Sequence, residues 1–375
     1  MKIFIVCNSL GGGGAERVGV NLANGFAQHN HQVFIITDVY QKASYLVDEQ
    51  VRILPLCYKE KGKLKRWSGA VLNLHSYIRH ERPDVIIGIM HLCSAVARLA
   101  ALGTKIPVVL TIHHALERIK ELHTSKLNIF CDRQLSRIYD ITTILTEADR
   151  KVLGDRKNIR VMHNPLTFDS ASHIPPKENF ILAAGRIDDW KFKGFDTLIE
   201  AWKSLSPTLP RREGDSWWLK IAGAGSSESI SYLKSLLTDA DWVPTEGGWK
   251  SEKYHMEFLG YRKDMLQLYQ KASIFVLSSR SEGLPMVLIE AMSQGCAPVA
   301  TDYKGRSREI ITTDEEGITC NIEDSDAMAL GIRKLIQDEQ YRLTVQQKAL
   351  ERSKYYALPN IISMWEDLLK QIVHK

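Results

Sequence analysis

Short apolar runs and helical patterns alternate along the chain. Residues 2–8 (KIFIVCN) are apolar, LGGGGAER follows, and VGVNLANGFAQHN then has helical spacing. This reads as strand, glycine loop and helix. Further runs are QVFIIT at 32–37, RPDVIIGI at 82–89, IPVVLTIHH at 106–114, DITTILT at 140–146 and IRVMHNP at 159–165, with the helical LCSAVARLAALG after the second of these. Runs of about five to seven apolar residues without alternation suit strands buried on both faces, as in parallel sheets. With helices between them they predict a doubly wound α/β domain.

The pattern then restarts. Residues 163–179 are polar, carry three prolines and read as an interdomain linker. New strands are expected at FILAAGR (180–186), WLKIAGAG (218–225), HMEFLGYR (255–262), SIFVLSS (273–279) and APVATD (297–302). The expected organisation is therefore two Rossmann-like domains, 1–170 and 171–356, and a final helix within 357–375 that could pack on either. Residues 206–217 and 239–254, both containing tryptophan, read as surface loops, with an acceptor-facing role as the alternative. Two such domains predict a central cleft, with ligands at the carboxyl ends of the strands.

Composition narrows the class. The chain has 375 residues, 44% hydrophobic and 25% charged, which fits a globular protein of two to three domains. The apolar run after Met1-Lys2 is shorter than a secretory core needs, and residues 85–103 are interrupted by His91 and Arg98. The six cysteines include no CxxC pair and read as free thiols. The expected location is cytoplasmic. The net charge of +5 is uneven: residues 1–165 carry +9 and the remainder −4. Lys59, Lys61, Lys63, Lys65 and Arg66 stand beside Trp67. They read either as a solvated loop or as an attachment to an anionic membrane, which the basic first half favours. No nucleic-acid-binding motif accompanies the charge, so nucleic acid is not an expected partner.

Three constellations carry candidate chemistry. Gly11–Gly14 lie between strand and helix, where glycine lets a ligand approach the backbone and a helix N-terminus attracts phosphate. Neither Walker A nor GxGxxG spacing is present. Gly185-Arg186 end a strand, with Lys191 and Lys193-Gly194 close behind. Taken alone these residues read as a solvated loop, and as a site such cations suit a pyrophosphate and the charge that develops as it leaves. The third, Ser281 to Met292, follows another strand. It holds Glu282 in a loop and Glu290 about two turns into a helix, on an apolar face where a carboxylate needs a partner such as a ribose diol. The backbone N–H groups of Gly283 and Leu284 could cradle oxygens there.

Glu-x7-Glu after a strand, GGAER (Gly13 to Arg17), GR…KGFDTLIEA (Gly185 to Ala201), IAGAG (Ile221 to Gly225) and FLGYR (Phe258 to Arg262) occur in this order. Together they resemble the retaining glycosyltransferases of family GT4, with the GT-B fold, over nearly the whole chain. The resemblance implies that Arg186 and Lys193 hold a donor diphosphate, with Lys191 a competitor for the second role. It implies that Glu290 binds the ribose and that Glu282 contacts the transferred sugar. Tyr261 and Arg262 would hold the base largely through backbone, while Gly13 and Gly14 face the diphosphate and acceptor. His113 would stand near the donor sugar, with His114 as the alternative inward-facing ring.

The function so implied is anomer-retaining transfer of a hexose to a membrane lipid or lipid-linked glycan. The expected donor is a UDP-sugar: galactose, glucose or an N-acetyl form. Asp324-Ser325-Asp326 and Asp239-Ala240-Asp241 have the DxD spacing of metal-dependent transferases. The first follows the expected strand GITCNI (317–322) and precedes a helix, so it reads as an N-cap, and no essential metal or other cofactor is expected. Alternatives on the same architecture are a sugar-nucleotide 2-epimerase and a non-catalytic nucleotide-sugar-binding module.

Overall fold

A computed structural model describes residues 1–11, 13–39, 43–56, 63–116, 133–210 and 215–373, with the backbone alone at 63–65. The chain divides into two compact units. Met1–Thr167 with Tyr356–Lys375 form the first, and Phe168–Tyr355 the second.

The strands of the first unit are β1 (Lys2–Val6), β2 (Gln32–Thr37), β3 (Arg52–Pro55), β4 (Val85–Ile89), β5 (Val108–Thr111), β6 (Ile141–Ile144) and β7 (Ile159–Val161). They form one parallel sheet in the order β3-β2-β1-β4-β5-β6-β7. The two faces separate by alternate residues. Ile3, Ile5, Ile35 and Ile87 pack into one cluster, whereas Phe4, Val6, Phe34, Ile36 and Ile86 pack into another. Burial on both faces explains the unbroken apolar runs.

Helix α1 (Gly14–Gln28) and the C-terminal helix Leu358–Val373 cover the first face. Their contact includes Trp365 edge-on to Phe26, with ring centroids 6.5 Å apart. On the second face, α2 (Lys63–Glu81) and α3 (Met90–Ala100) supply Leu74, Ile78, Val96 and Ala97. Strand β3 has no counterpart in the apolar pattern. It is an edge strand, where Arg52 stays exposed and Pro55 is tolerated at the end of the ladder.

The strands of the second unit are β8 (Glu178–Ala184), β9 (Trp218–Ala222), β10 (Val243–Pro244), β11 (Trp249–Ser251), β12 (Met256–Gly260), β13 (Ala272–Leu277), β14 (Ala297–Asp302) and β15 (Ile318–Asn321). Their order is β10-β11-β12-β9-β8-β13-β14-β15. From β12 to β15 every pairing is parallel, while β10 and β11 join antiparallel at one edge. The direction of winding reverses between β8 and β13, and this is the switch point at which open α/β sheets bind ligands.

The antiparallel pair corrects the reading of residues 239–254 as a loop. Trp242 and Trp249 pack against the core, and Lys234 lies 3.1 Å above the Trp249 ring. In 206–217, Leu209 and Trp217 are core residues, and 211–214 lie outside the described residues. Apolar anchors with irregular spacing carry no strand period, so the pattern concealed the hairpin. Among the described residues no helix is long and apolar enough to cross a membrane.

Candidate functional site

The carboxyl ends of β8 and β13 are neighbours, so the loops that follow them meet. After β8 come Gly185 and Arg186, a 3-10 turn Ile187–Asp189, a helical turn Trp190–Lys193, and a helix Phe195–Leu205. After β13 come Ser278 to Pro285 and then a helix Met286–Ser293. The approach is close because glycine permits it. Gly194 has φ +64°, and a Cβ there would lie 1.9 Å from the Ser278 carbonyl oxygen.

Two of the residues singled out from the sequence touch. Lys193 Nζ lies 2.7 Å from Glu282 Oε1, with both side chains about one-fifth exposed. Ser279 Oγ donates to the same oxygen at 2.8 Å. The ammonium has three N–H groups, and this pair uses one. A diphosphate or sugar hydroxyl arriving here would meet an ammonium and a carboxylate already held on site.

Arg186 follows Gly185 at the end of β8, its side chain 82% exposed, and pairs with Asp189 at 2.8 Å. The adjacent Asp188 ties this loop to the helix Ser227–Ser235. Its Oδ1 accepts from the Ser226 N–H (2.8 Å), Ser226 Oγ (2.7 Å) and Ser229 Oγ (2.9 Å), and these bonds hold the carboxyl below its ordinary range. Lys191 is exposed, whereas Lys193 turns toward Glu282.

Glu290 lies one strand-to-helix step away and is 7% exposed. Tyr269 donates its phenolic O–H to Glu290 Oε2 at 3.1 Å, which supplies part of the partnership that a buried carboxylate requires. Gly283 and Leu284 lie in the loop that enters the helix Met286–Ser293. Tyr261 is 71% exposed, and the guanidinium of Arg262 is paired with Asp264 through Nε at 2.7 Å.

The first unit carries the remaining candidates. Gly13 is the N-cap of α1 and Gly14 its first residue. The Glu16 carboxylate stands over Gly13, where a Cβ would lie 1.9 Å from Glu16 Oε2, whereas Gly14 has open space around it. The helix N-terminus thus already faces an acid of its own. His113 Nδ1 is 2.9 Å from Asn164 Oδ1, and Nε2 is 2.8 Å from Thr111 Oγ1. Burial pushes its pKa down to about 4 against the opposing hydrogen bond to Asn164, so the ring is neutral near pH 7. His114 packs edge-on to His91 at 5.8 Å.

Of the basic segment, Lys59 and Lys61 lie outside the described residues, as do the side chains of Lys63 and Lys65. Arg66 pairs with Asp38 at 2.8 Å and Trp67 packs against the core. Both therefore have structural roles in the described part of the unit. The DxD sequences have structural roles as well. Asp324 caps the helix Ser325–Gln337 by accepting from the Ala327 N–H at 2.9 Å. Asp239 and Asp241 accept from Lys253 Nζ and the Lys253 N–H at 2.6 and 3.0 Å, which braces the β10–β11 hairpin.

The sequence reading passed over Ser278, Ser279, Arg280, Asp188 and Asp196. The available signal was the polar run Ser278–Ser281 immediately before Glu282 at a strand end.

Known proteins show the same organisation. A glycosyltransferase of Haemophilus influenzae is 26% identical over 98% of this chain and 99% of its own length. An alpha-1,4-N-acetyl-D-galactosaminyltransferase of Campylobacter jejuni, named for a PP-undecaprenol glycan, is 25% identical over 99% of each chain. The crystal structure of Anabaena HepE in complex with UDP superposes with a TM-score of 0.76 at 17% identity, covering 99% of this chain and all of that one. The family description "Glycosyl transferases group 1" matches residues 167–352, and "Glycosyltransferase Family 4" matches residues 12–169. The chain therefore belongs to the family 4 group of glycosyltransferases and has the GT-B type of fold.

Proposed function

We propose that this glycosyltransferase moves a hexose from a UDP-sugar to a lipid-linked glycan at the cytoplasmic face of a membrane, with retention of anomeric configuration. The observation that carries the donor site is the Lys193–Glu282 pair, in the loops at the switch point of the second sheet. In this reading Arg186 and Lys193 take the diphosphate, and Glu282 accepts from a hydroxyl of the transferred sugar. Glu290 takes the ribose, and the N–H groups of Gly283 and Leu284 face the phosphate or sugar oxygens. Tyr261 and Arg262 hold the base through backbone. Gly13, Gly14 and His113 serve the donor and acceptor from the first unit.

The UDP assignment is supported by the UDP complex of HepE, and the lipid-linked acceptor by the C. jejuni relative named for PP-undecaprenol. Among the described residues no side chain stands out as a covalent nucleophile. The acceptor hydroxyl therefore attacks on the face from which the diphosphate departs, and the leaving phosphate oxygen takes its proton. The cations Arg186 and Lys193 supply the charge that a metal would otherwise bring, so turnover should persist in EDTA. With Arg66 and Trp67 engaged inside the unit, attachment to an anionic membrane rests on Lys59, Lys61, Lys63 and Lys65 and the +9 charge of residues 1–165.

The test is nucleotide release from a panel of UDP-, GDP- and ADP-sugars, with and without undecaprenyl-diphosphate glycans in anionic vesicles. Release from a UDP-hexose that rises with the lipid-linked acceptor, and is unchanged by EDTA, is the expected result. Release that is independent of acceptor would favour hydrolysis or epimerisation, and loss in EDTA restored by Mn²⁺ would overturn the metal-free reading.

A further inference from the structure

Lys193 is a flexible side chain on a four-residue helical turn, yet its ammonium is delivered onto Glu282. The turn is gripped from the opposite loop by consecutive contacts. The Lys191 carbonyl accepts from Arg280 Nη1 at 2.5 Å, the Phe192 carbonyl from the Arg280 backbone N–H at 2.9 Å, and the Lys193 carbonyl from Ser278 Oγ at 2.8 Å. These three carbonyls lie at the end of a short helical stretch, where they lack intrahelical donors. Two residues of the β13 loop thus satisfy all three and set the register of the turn against that loop.

The guanidinium of Arg280 is fully committed. Nη1 and Nη2 form a fork onto Asp196 Oδ1 and Oδ2 at 2.8 and 2.9 Å, Nη2 reaches Thr197 Oγ1 at 3.2 Å, and Nε donates to Glu323 Oε1 at 2.6 Å. With Lys191 O this makes five bonds for five N–H groups. Glu323 is 62% exposed and contributes little, whereas Asp196 and Arg280 are 22% and 11% exposed. The bidentate pair fixes a plane, which a lysine cannot do.

We propose that Arg280 is a positioning residue for Lys193. It clamps the 191–193 turn to the Glu282 loop so that the ammonium is set in advance for the donor diphosphate. The inference rests on the reading of Lys193 as a diphosphate cation. Arg280 itself, with every donor used, does not touch the substrate.

The experiment measures UDP and uridine affinity by calorimetry for the wild type, Arg280→Lys, Asp196→Asn and Lys193→Met, alongside melting temperatures. UDP affinity should fall roughly ten- to a hundredfold in Arg280→Lys, as expected for a misplaced charge-assisted contact, while uridine affinity stays level. Arg280→Lys added to Lys193→Met should cause no further loss. Asp196→Asn should move in the same direction by a smaller factor, and it stands in if Arg280→Lys does not fold.

A lower melting temperature with the UDP-to-uridine preference intact would mean that Arg280 serves stability alone, which overturns the inference. A wild type that binds UDP no better than uridine would instead overturn the donor-site reading on which it rests.

Discussion

Replacing Glu282 by glutamine separates binding from turnover. In the structure Glu282 Oε1 receives Lys193 Nζ at 2.7 Å and Ser279 Oγ at 2.8 Å. Glutamine retains an acceptor oxygen in that place and removes the negative charge. A diphosphate oxygen held by the same ammonium would lie about 5 Å from Glu282 Oε1. Two like charges at about 5 Å repel by roughly 1.5–3 kcal/mol for an effective dielectric of about 20–40. The pair is about one-fifth exposed, so solvent screening favours the lower value. Glu282→Gln should therefore tighten UDP by about tenfold, since about 1.4 kcal/mol is a factor of ten.

Turnover should move the other way. A carboxylate that orients the transferred sugar is worth about a hundredfold in kcat when lost, because small misplacements at the reacting centre are costly. The assays are UDP calorimetry and single-turnover release of nucleotide. A folded variant that binds UDP no more tightly than the wild type would refute the charge argument, and one with a normal kcat would remove Glu282 from the reacting centre.

Other outcomes follow from the same geometry. Gly194→Ala must place a Cβ where the Ser278 carbonyl stands, at φ +64°, and should lose more than about 2 kcal/mol in urea denaturation through strain and displacement of the loop. Gly14→Ala meets nothing within 4 Å, so its stability should hold. Turnover lost in that stable variant would mark close approach of a ligand, and normal turnover would assign Gly14 to the turn alone. His113 stays neutral in the folded unit down to about pH 4 but takes a proton near 6.5 when unfolded. The unfolded state binds more protons between those values, so the stability contributed is full above pH 6.5 and falls as pH drops toward 4, by roughly 3 kcal/mol in all. His113→Gln should flatten that slope in urea titrations at pH 7, 6 and 5, and parallel slopes would contradict the assignment.

Much of the architecture is legible in one dimension. Parallel strands buried on both faces leave unbroken apolar runs, and QVFIIT and APVATD coincide with β2 and β14 in full. The order of the strands places Arg186, Lys193 and Glu282 at adjacent strand ends once the sheet is doubly wound. The capping role of Asp324 also follows from local order alone.

Other features depend on sequence-distant neighbours. Strand β3 and the β10–β11 hairpin exist because a sheet edge accepts short, mixed segments, and no local period marks them. Both Lys191 and Lys193 fit the motif, and only the fold brings Lys193 onto Glu282 while Lys191 stays exposed, because Ser278 and Arg280 fix carbonyls some 85 to 90 residues back along the chain. Nor does the run Ser278–Ser281 by itself reveal a clamp, because its partners Asp196 and Thr197 come from the distant helix Phe195–Leu205. Periodicity records which face of an element is buried. Only the folded backbone determines which distant carbonyl a buried guanidinium reaches.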